Sequence, residues 1–217
     1  MLQYDRINKT FIIIAPKIAK KTVKLRQEKK CGIDIGVRTF VTTYGKDACY
    51  EIGTDVNKTI DRLNNRLDQL KSKYKKNEIG KKKFKTLSMK YSERLQNKIN
   101  DMHCKTANFL LNKYHEINIG NIKIKQLLSN KNKNDLANVT KRRLVALSHY
   151  KFRAKLKQMA PKFGSIINEI SEFQTSMKCC RCKNLKKDLG KNKCYKCLNC
   201  NLEIDRDINA AINIYNL

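Results

Sequence analysis

The sequence predicts an α/β domain, a mixed β-sheet with helices laid over it. Two observations carry that prediction. Short apolar, β-branched stretches recur early, midway and late in the chain, bounded by Gly, Asn, Ser or charged residues. Between them, apolar residues return every three or four positions, the period of a helix face. A length of 217 residues suits one domain with a small appendage. Hydrophobic content of 41% supplies a core and excludes wholesale disorder.

In chain order, TFIIIA reads as a strand and residues 31–36, CGIDIG, as a second. Gly36 suits a sharp turn into a third strand, TFVTTYG, and ACYEIG forms a short fourth. Ile60, Leu63, Leu67, Leu70 and Tyr74 then mark one helix face. KYKKNEIGKKKF interrupts the pattern, with Gly80 as the turn. Phe84, Leu87, Tyr91, Leu95, Ile99 and Met102 resume it toward Leu110, which predicts an antiparallel helical hairpin over 57–112. HEINIG (115–120) is a further strand, followed by the basic loop NIKIKQLLSNKNKND. One helix is expected from Leu136 to about Met159, then a strand over 165–171, SIINEIS. The closing DRDINAAINIYNL suits a helix packed on the sheet through Ile208, Ala211 and Ile212. Three hairpin-linked strands, helices, strand, helix, strand, helix is the order of the ribonuclease H-like fold.

Charge narrows the function. Lys plus Arg number 48 and Asp plus Glu 19, a formal net charge of +29. So basic a chain is expected to meet a polyanion, and nucleic acid is the commonest one. FIIIAP, the longest apolar run, is far too short to span a bilayer, so no membrane partner is expected. No segment has signal-peptide architecture, which predicts an intracellular protein of cytoplasm or nucleus, not a secreted one. Six of the nine cysteines cluster within TSMKCCRCKNLKKDLGKNKCYKCLNC. In a reducing compartment such a cluster reads as metal ligands, and two C-x-x-C knuckles supply four thiolates for one structural Zn²⁺. Cys179 and Cys182 form the first knuckle. The second is either Cys197 with Cys200 or Cys194 with Cys197, and the former is preferred.

One residue breaks the strand pattern. Asp34 interrupts an apolar strand, where an unpartnered carboxylate costs several kcal/mol. Hydrogen-bond donors, a basic side chain or a metal ion would satisfy it. Glu172 stands just past the strand at 165–171, and Asp207 at the start of the last helix. Three carboxylates gathered at strand ends can hold two Mg²⁺ ions about 4 Å apart, the arrangement for phosphodiester hydrolysis. Arg38 suits a phosphate, an acid across the site, or a structural salt bridge. Lys141, Arg142, Arg143, Lys151 and Arg153, all on the helix at 136–159, are expected to contact a phosphate backbone without reading sequence. His103 and His149 are expected to pack or hydrogen-bond, since two-metal hydrolysis needs no histidine.

Several motifs in fixed order resemble one family. GIDIGVRTFVT resembles the first RuvC motif of TnpB and Fanzor nucleases, relatives of type V CRISPR effectors. ANFLLNKYHEINIGNIKIK is similar to the segment around their second motif, and RRLVALSHYKFRAKL to the helix that follows. EFQTSMKCCRC and CLNCNLEIDRDINAAINI resemble their zinc ribbon and third motif. The resemblance implies RNA-guided DNA cleavage, with Asp34 and Asp207 as the first and third acids. Asp205 is implied to be an exposed or helix-capping neighbour. It also implies a division into a remnant of a wedge-like β-region at 1–30, a RuvC-like core at 31–172, a zinc ribbon at 173–203 and a closing motif and helix at 204–217.

The second motif departs from the family. Where most TnpB proteins carry a Glu at the strand end, this chain has Gly120. Fanzor proteins and some TnpB relatives carry the acid just before the T-S of the zinc ribbon instead, which is the position of Glu172. Glu169 has the wrong spacing from Thr175, and Glu116 lies deeper in its strand. The competing reading is a catalytically inactive nucleic-acid-binding protein. Relatives also carry a longer region before the first motif, whereas only about 30 residues precede Asp34. Guide-RNA binding by this chain alone is therefore open, and a separate N-terminal partner chain is an alternative.

Overall fold

The computed structural model of the chain describes residues 2–5, 10–13, 29–121, 136–171, 174–186 and 192–217, the first two segments as backbone only. Those two are strands β1 (Leu2–Asp5) and β2 (Thr10–Ile13), an antiparallel pair. The central sheet holds β3 (Lys30–Ile35), β4 (Val41–Gly45), β5 (Cys49–Ile52), β6 (Glu116–Gly120) and β7 (Ile166–Ile170). Its order is β5-β4-β3-β6-β7. The first three strands form an antiparallel meander, and β6 and β7 add in parallel, each after a helical crossover. This is the ribonuclease H-like arrangement that the order of apolar segments predicts.

Alternation along the strands sorts the two faces. Cys31, Ile33 and Ile35 of β3, with Ile117 and Ile119 of β6, are buried against α2 (Lys81–Lys113) and its neighbours. Ala107, Leu110, Leu111, Leu147, Phe152 and Leu156 cover that face. Gly32, Asp34 and Asn118 point the other way, toward the closing helix α5 (Arg206–Tyr215). The meander is thus covered by helices on both faces, as an α/β sheet requires.

The hairpin of α1 (Val56–Lys75) and α2 is buried only near the sheet, at Ile60, Leu63 and Ile99. Farther out its seam thins to a stacked Tyr74–Phe84 pair at 4.6 Å, and Gly80 precedes the first turn of α2. The expected single helix from Leu136 is instead two, α3 (Asn138–Leu147) and α4 (His149–Phe163). Ser148 sits between them in the left-handed region at φ 48°, ending one helix and opening the next. Neither Gly nor Pro marks the break, so propensity gives no sign of it. Helix α4 also runs past Met159 through Pro161 and stops at Gly164, whose φ of 66° suits a residue without a side chain. The basic loop expected after Asn121 lies outside the described residues. Among the described residues no helix is long and apolar enough to cross a membrane.

Candidate functional site

The seating of α5 on the sheet positions the first two acids. A Cβ on Gly32 would lie 2.3 Å from the Ala211 carbonyl oxygen and 2.4 Å from the Tyr215 nitrogen, so only glycine permits this approach. Lys30, at the start of β3, holds Nζ 5.4 Å from the Tyr215 ring centroid. Tyr44, the register partner of Gly32, meets the same ring edge-on, and Asn118 donates to the Ile214 carbonyl at 3.2 Å. The C-terminal turn of α5 therefore lies over the beginning of β3, and the helix runs antiparallel to that strand. One turn back from Ala211 is Asp207, about 5.4 Å along the axis. Two residues on from Gly32 is Asp34, about 6.6 Å along the strand and on the same face. Both aspartates thus lie at the C-terminal end of β3, although 173 positions separate them in sequence. Gly120 continues the register beside Asp34, since Ile33 pairs with Ile119.

Burial raises the Asp207 carboxyl above the usual range, and the neighbouring Asp205 raises it further; Arg206, Lys193 and Arg38 act against both. Arg38 itself is exposed at the turn after β3. Asp205 is the N-cap of α5, as expected of it: its Oδ1 accepts from the amides of Asp207 at 2.8 Å and Ile208 at 3.2 Å. Asp34 and Asp207 are both half-buried and offer hard carboxylate oxygens, the donor type that suits Mg²⁺.

The remaining acids separate cleanly. Glu172 lies outside the described residues. Glu169 pairs in register with Ile119, so it points to the opposite face, where Arg153 at 3.4 Å and Lys157 at 3.1 Å hold it. Glu116 is at the far end of β6, accepting from Asn168 at 3.1 Å with Lys30 at 3.7 Å. Neither reaches the Asp34 end.

The basic residues of the α3–α4 segment divide in a way the sequence does not reveal. Arg153 is a correction: it is 7% exposed, packed beneath the sheet and paired with Glu169, so it is not presented to a polyanion. Arg142 pairs with Asp68 at 2.6 Å, and Arg143 donates to Asp61 through both Nε and Nη2, which ties α3 to α1. The Arg143 hydrogen bond holds the Asp61 carboxyl below the usual range. Lys141 is half-buried and Lys151 exposed.

The cysteines gather as a second centre. The sulfurs of Cys179, Cys182, Cys197 and Cys200 all lie within 4.8 Å of one another. Cys179 and Cys200 are 3.7 Å apart and Cys182 and Cys197 3.5 Å. Four thiolates around tetrahedral zinc stand about 3.8 Å apart, so the set fits that ion. The two knuckles repeat one backbone pattern. Cys179 N–H bonds the carbonyl of Asn184, and Cys197 N–H that of Leu202, both at 2.9 Å. Each turn closes on a left-handed residue just past its second cysteine, Lys183 at φ 61° and Asn201 at φ 54°. Cys194 instead lies on β8 (Cys194–Lys196), with its thiol against Glu203 of β9 (Glu203–Asp205). Cys197 with Cys200 is therefore the second knuckle, while Cys180 and Cys194 stand apart from it.

Comparison with known proteins places the chain. A family profile described as "Probable transposase", OrfB_IS605, matches residues 14–131, more than half of the chain. The chain belongs to this TnpB-like transposase family. A second profile, "Cas12f1-like, TNB domain", matches residues 149–214. TnpB-like protein L79 of Acanthamoeba polyphaga mimivirus is 36% identical over 222 aligned residues, 98% of this chain and 42% of that one. The TnpB-like chain thus spans about two fifths of the length of such relatives. Its fold matches the cryo-EM structure of a Cas12f1–sgRNA–target DNA complex with a TM-score of 0.64 at 23% identity, over 87% of this chain and 50% of that one. A CRISPR-Cas12f ternary complex matches with a TM-score of 0.65 at 25% identity, over 95% and 41%.

The sequence alone misses Gly32, whose lack of a side chain lets α5 reach the strand. It also misses Asn209 and Asn213, two amides buried on an otherwise apolar helix face. Their spacing of four within INAAIN was the available signal.

Proposed function

We propose that this TnpB-like chain carries a Mg²⁺-dependent DNA endonuclease site of RuvC type. Asp34 and Asp207 are two of its metal-binding carboxylates and Glu172 is the third. The antiparallel seating of α5 on β3 carries the proposal, because it sets two aspartates from distant stretches at one end of one sheet face. In sequence Glu172 stands two residues past the end of β7, beside which Gly120 offers no ligand. This is the relocated glutamate of Fanzor-like proteins. When bound, a pair of Mg²⁺ ions supplies activation of the attacking water and stabilisation of the leaving oxygen. The chain's own part is to fix the carboxylates, and Arg38 stands beside them to engage a phosphate.

Zn²⁺ in the four-cysteine centre would be structural, since all four positions of its tetrahedron are sulfur. The relatives solved with sgRNA and target DNA support DNA and a guide RNA as partners, and the +29 charge supports binding through the backbone. A second reading follows from Gly120: a nucleic-acid-binding chain without cleavage. The two separate on incubating the purified chain with labelled single-stranded DNA and Mg²⁺. Cleavage is expected, and its loss in Asp34→Ala and in Glu172→Ala. Cleavage that survives Glu172→Ala rejects that residue as a ligand. Intact DNA throughout rejects endonuclease activity for the isolated chain.

A further inference from the structure

We propose that the four-cysteine centre positions the catalytic end of the sheet, and that Asn209 is the residue through which it does so. The inference rests on the reading of Asp207 as a metal-binding carboxylate, but the physical coupling can be measured without it.

Helix α5 is fastened to the cysteine knuckles from two sides, with Asp207 between. On one side Asn209, fully buried, accepts from the Cys180 amide and donates to the Lys178 carbonyl, both at 2.9 Å. These two backbone groups flank Cys179. One turn later Asn213, 6% exposed, donates to the carbonyls of Thr175 at 2.8 Å and Lys178 at 2.7 Å. The first knuckle is thus stapled to the helix by the two buried amides.

On the other side the second knuckle belongs to the β8–β9 hairpin, and β9 runs directly into α5. The Arg206 amide donates to the Lys193 carbonyl at 2.7 Å. Lys193 Nζ lies 3.2 Å from the Asp205 carboxylate and 2.9 Å from Glu51 on the edge strand β5. The start of α5 is therefore held at 205–206 by the hairpin that carries the second knuckle and at 209 by the first knuckle. Among the described residues the two holds are joined by the four sulfurs, by the packing of Cys179, Tyr195 and Cys197, and by two hydrogen bonds, from the Tyr195 hydroxyl to the Met177 carbonyl and from Lys186 Nζ to the Lys196 carbonyl, both at 3.2 Å.

Closing the sulfurs around an ion fixes both holds relative to each other. Opening them leaves the first knuckle on those two bonds and that packing alone, and as it moves the buried Asn209 amide loses its donor and its acceptor together. A buried amide without partners is unfavourable, so the first turn of α5 must shift or fray to reach water. That turn carries Asp207. Asn209 touches no reacting atom in this account and is a positioning residue.

Hydrogen exchange on the whole chain tests the coupling. The chain is stripped with EDTA, then given Zn²⁺ alone or Mg²⁺ alone. Stripping is expected to speed exchange of the 206–215 amides roughly tenfold or more while β3 and β6 stay protected. Zn²⁺ alone should restore protection and Mg²⁺ alone should not. Asn209→Ala, with its cluster verified by Co²⁺–thiolate absorption, should exchange as fast at α5 with metal bound as the wild type does stripped. Asn209→Asp keeps the acceptor and loses the donor, and it should fall between the two. It also serves as the test if the alanine variant loses protection at β3 and β6. Equal α5 protection with and without Zn²⁺, or wild-type protection in a folded Asn209 variant, overturns the proposal. Mn²⁺ titration of the wild type reads the Asp34–Asp207 site separately. Exchange coupling without Mn²⁺ binding would leave the positioning device in place and remove the nuclease reading.

Discussion

Asp34 and Gly32 share one strand face, and the glycine explains why the acid is usable. Without a side chain at 32, the backbone of α5 lies against β3 and brings Asp207 to the same end. Gly32→Ala forces a methyl group into backbone atoms that cannot turn aside. Destabilisation of about 1–3 kcal/mol is expected, read as a lowered urea midpoint, together with weakened divalent-cation binding. Two buried histidines give a second residue-scale prediction. His103 and His149 flank the Phe40 ring at 5.2 and 5.6 Å, and burial is the main cause that pushes each down to about 4. For His149 the neighbouring His103 and Arg153 add to this; for His103 the Leu147 carbonyl works against it, while Lys155 and Lys151 add to it. The unfolded chain takes up these protons near the ordinary value of about 6.5, so it binds more protons than the folded chain between there and 4. Stability should hold above pH 6.5, fall as pH drops toward 4, and level off below it. Denaturant midpoints at pH 7.5, 6 and 5 check this, and His149→Leu should flatten the profile. At this scale the sequence was informative where chemistry is written in residue type. The clustered cysteines announced themselves, and the histidines were rightly read as packing or hydrogen-bonding residues. Arg153 was not legible, because a basic residue facing an acid beneath a sheet has the same letter as one facing solvent.

Elements were legible where period is long and uninterrupted, as in α1, α2 and the three-stranded meander. The break at Ser148 was not, since it follows from a left-handed residue that propensity does not favour. Ser148→Gly removes the steric cost of that conformation, offset by the lost hydroxyl bond to the Val145 carbonyl. A gain of up to about 1 kcal/mol is expected in thermal or chemical unfolding, whereas Ser148→Val should destabilise. The choice between Cys194 and Cys200 was also settled at this scale. A knuckle is a turn with its own backbone bonds, and only Cys197–Cys200 repeats those of Cys179–Cys182.

For the whole molecule, a +29 chain is expected to bind DNA mainly through phosphates, with affinity that collapses in salt. Raising salt from 50 to 200 mM should weaken binding about 10³-fold, nearly independent of base sequence, as fluorescence anisotropy can show. The proposed location of the site, at the C-terminal end of β3, could not be read from any one segment. It depends on the direction in which the last helix crosses the first core strand, a property of packing between stretches more than 170 residues apart. The central claim is that Asp34 and Asp207 bind one cluster of divalent cations completed by Glu172. A crystal structure of the chain soaked in Mn²⁺ tests it most directly. Anomalous density bridging Asp34 and Asp207, with a Glu172 oxygen about 2.1 Å from a metal, is the predicted result. Density elsewhere, or at the two aspartates with Glu172 turned away, would contradict it.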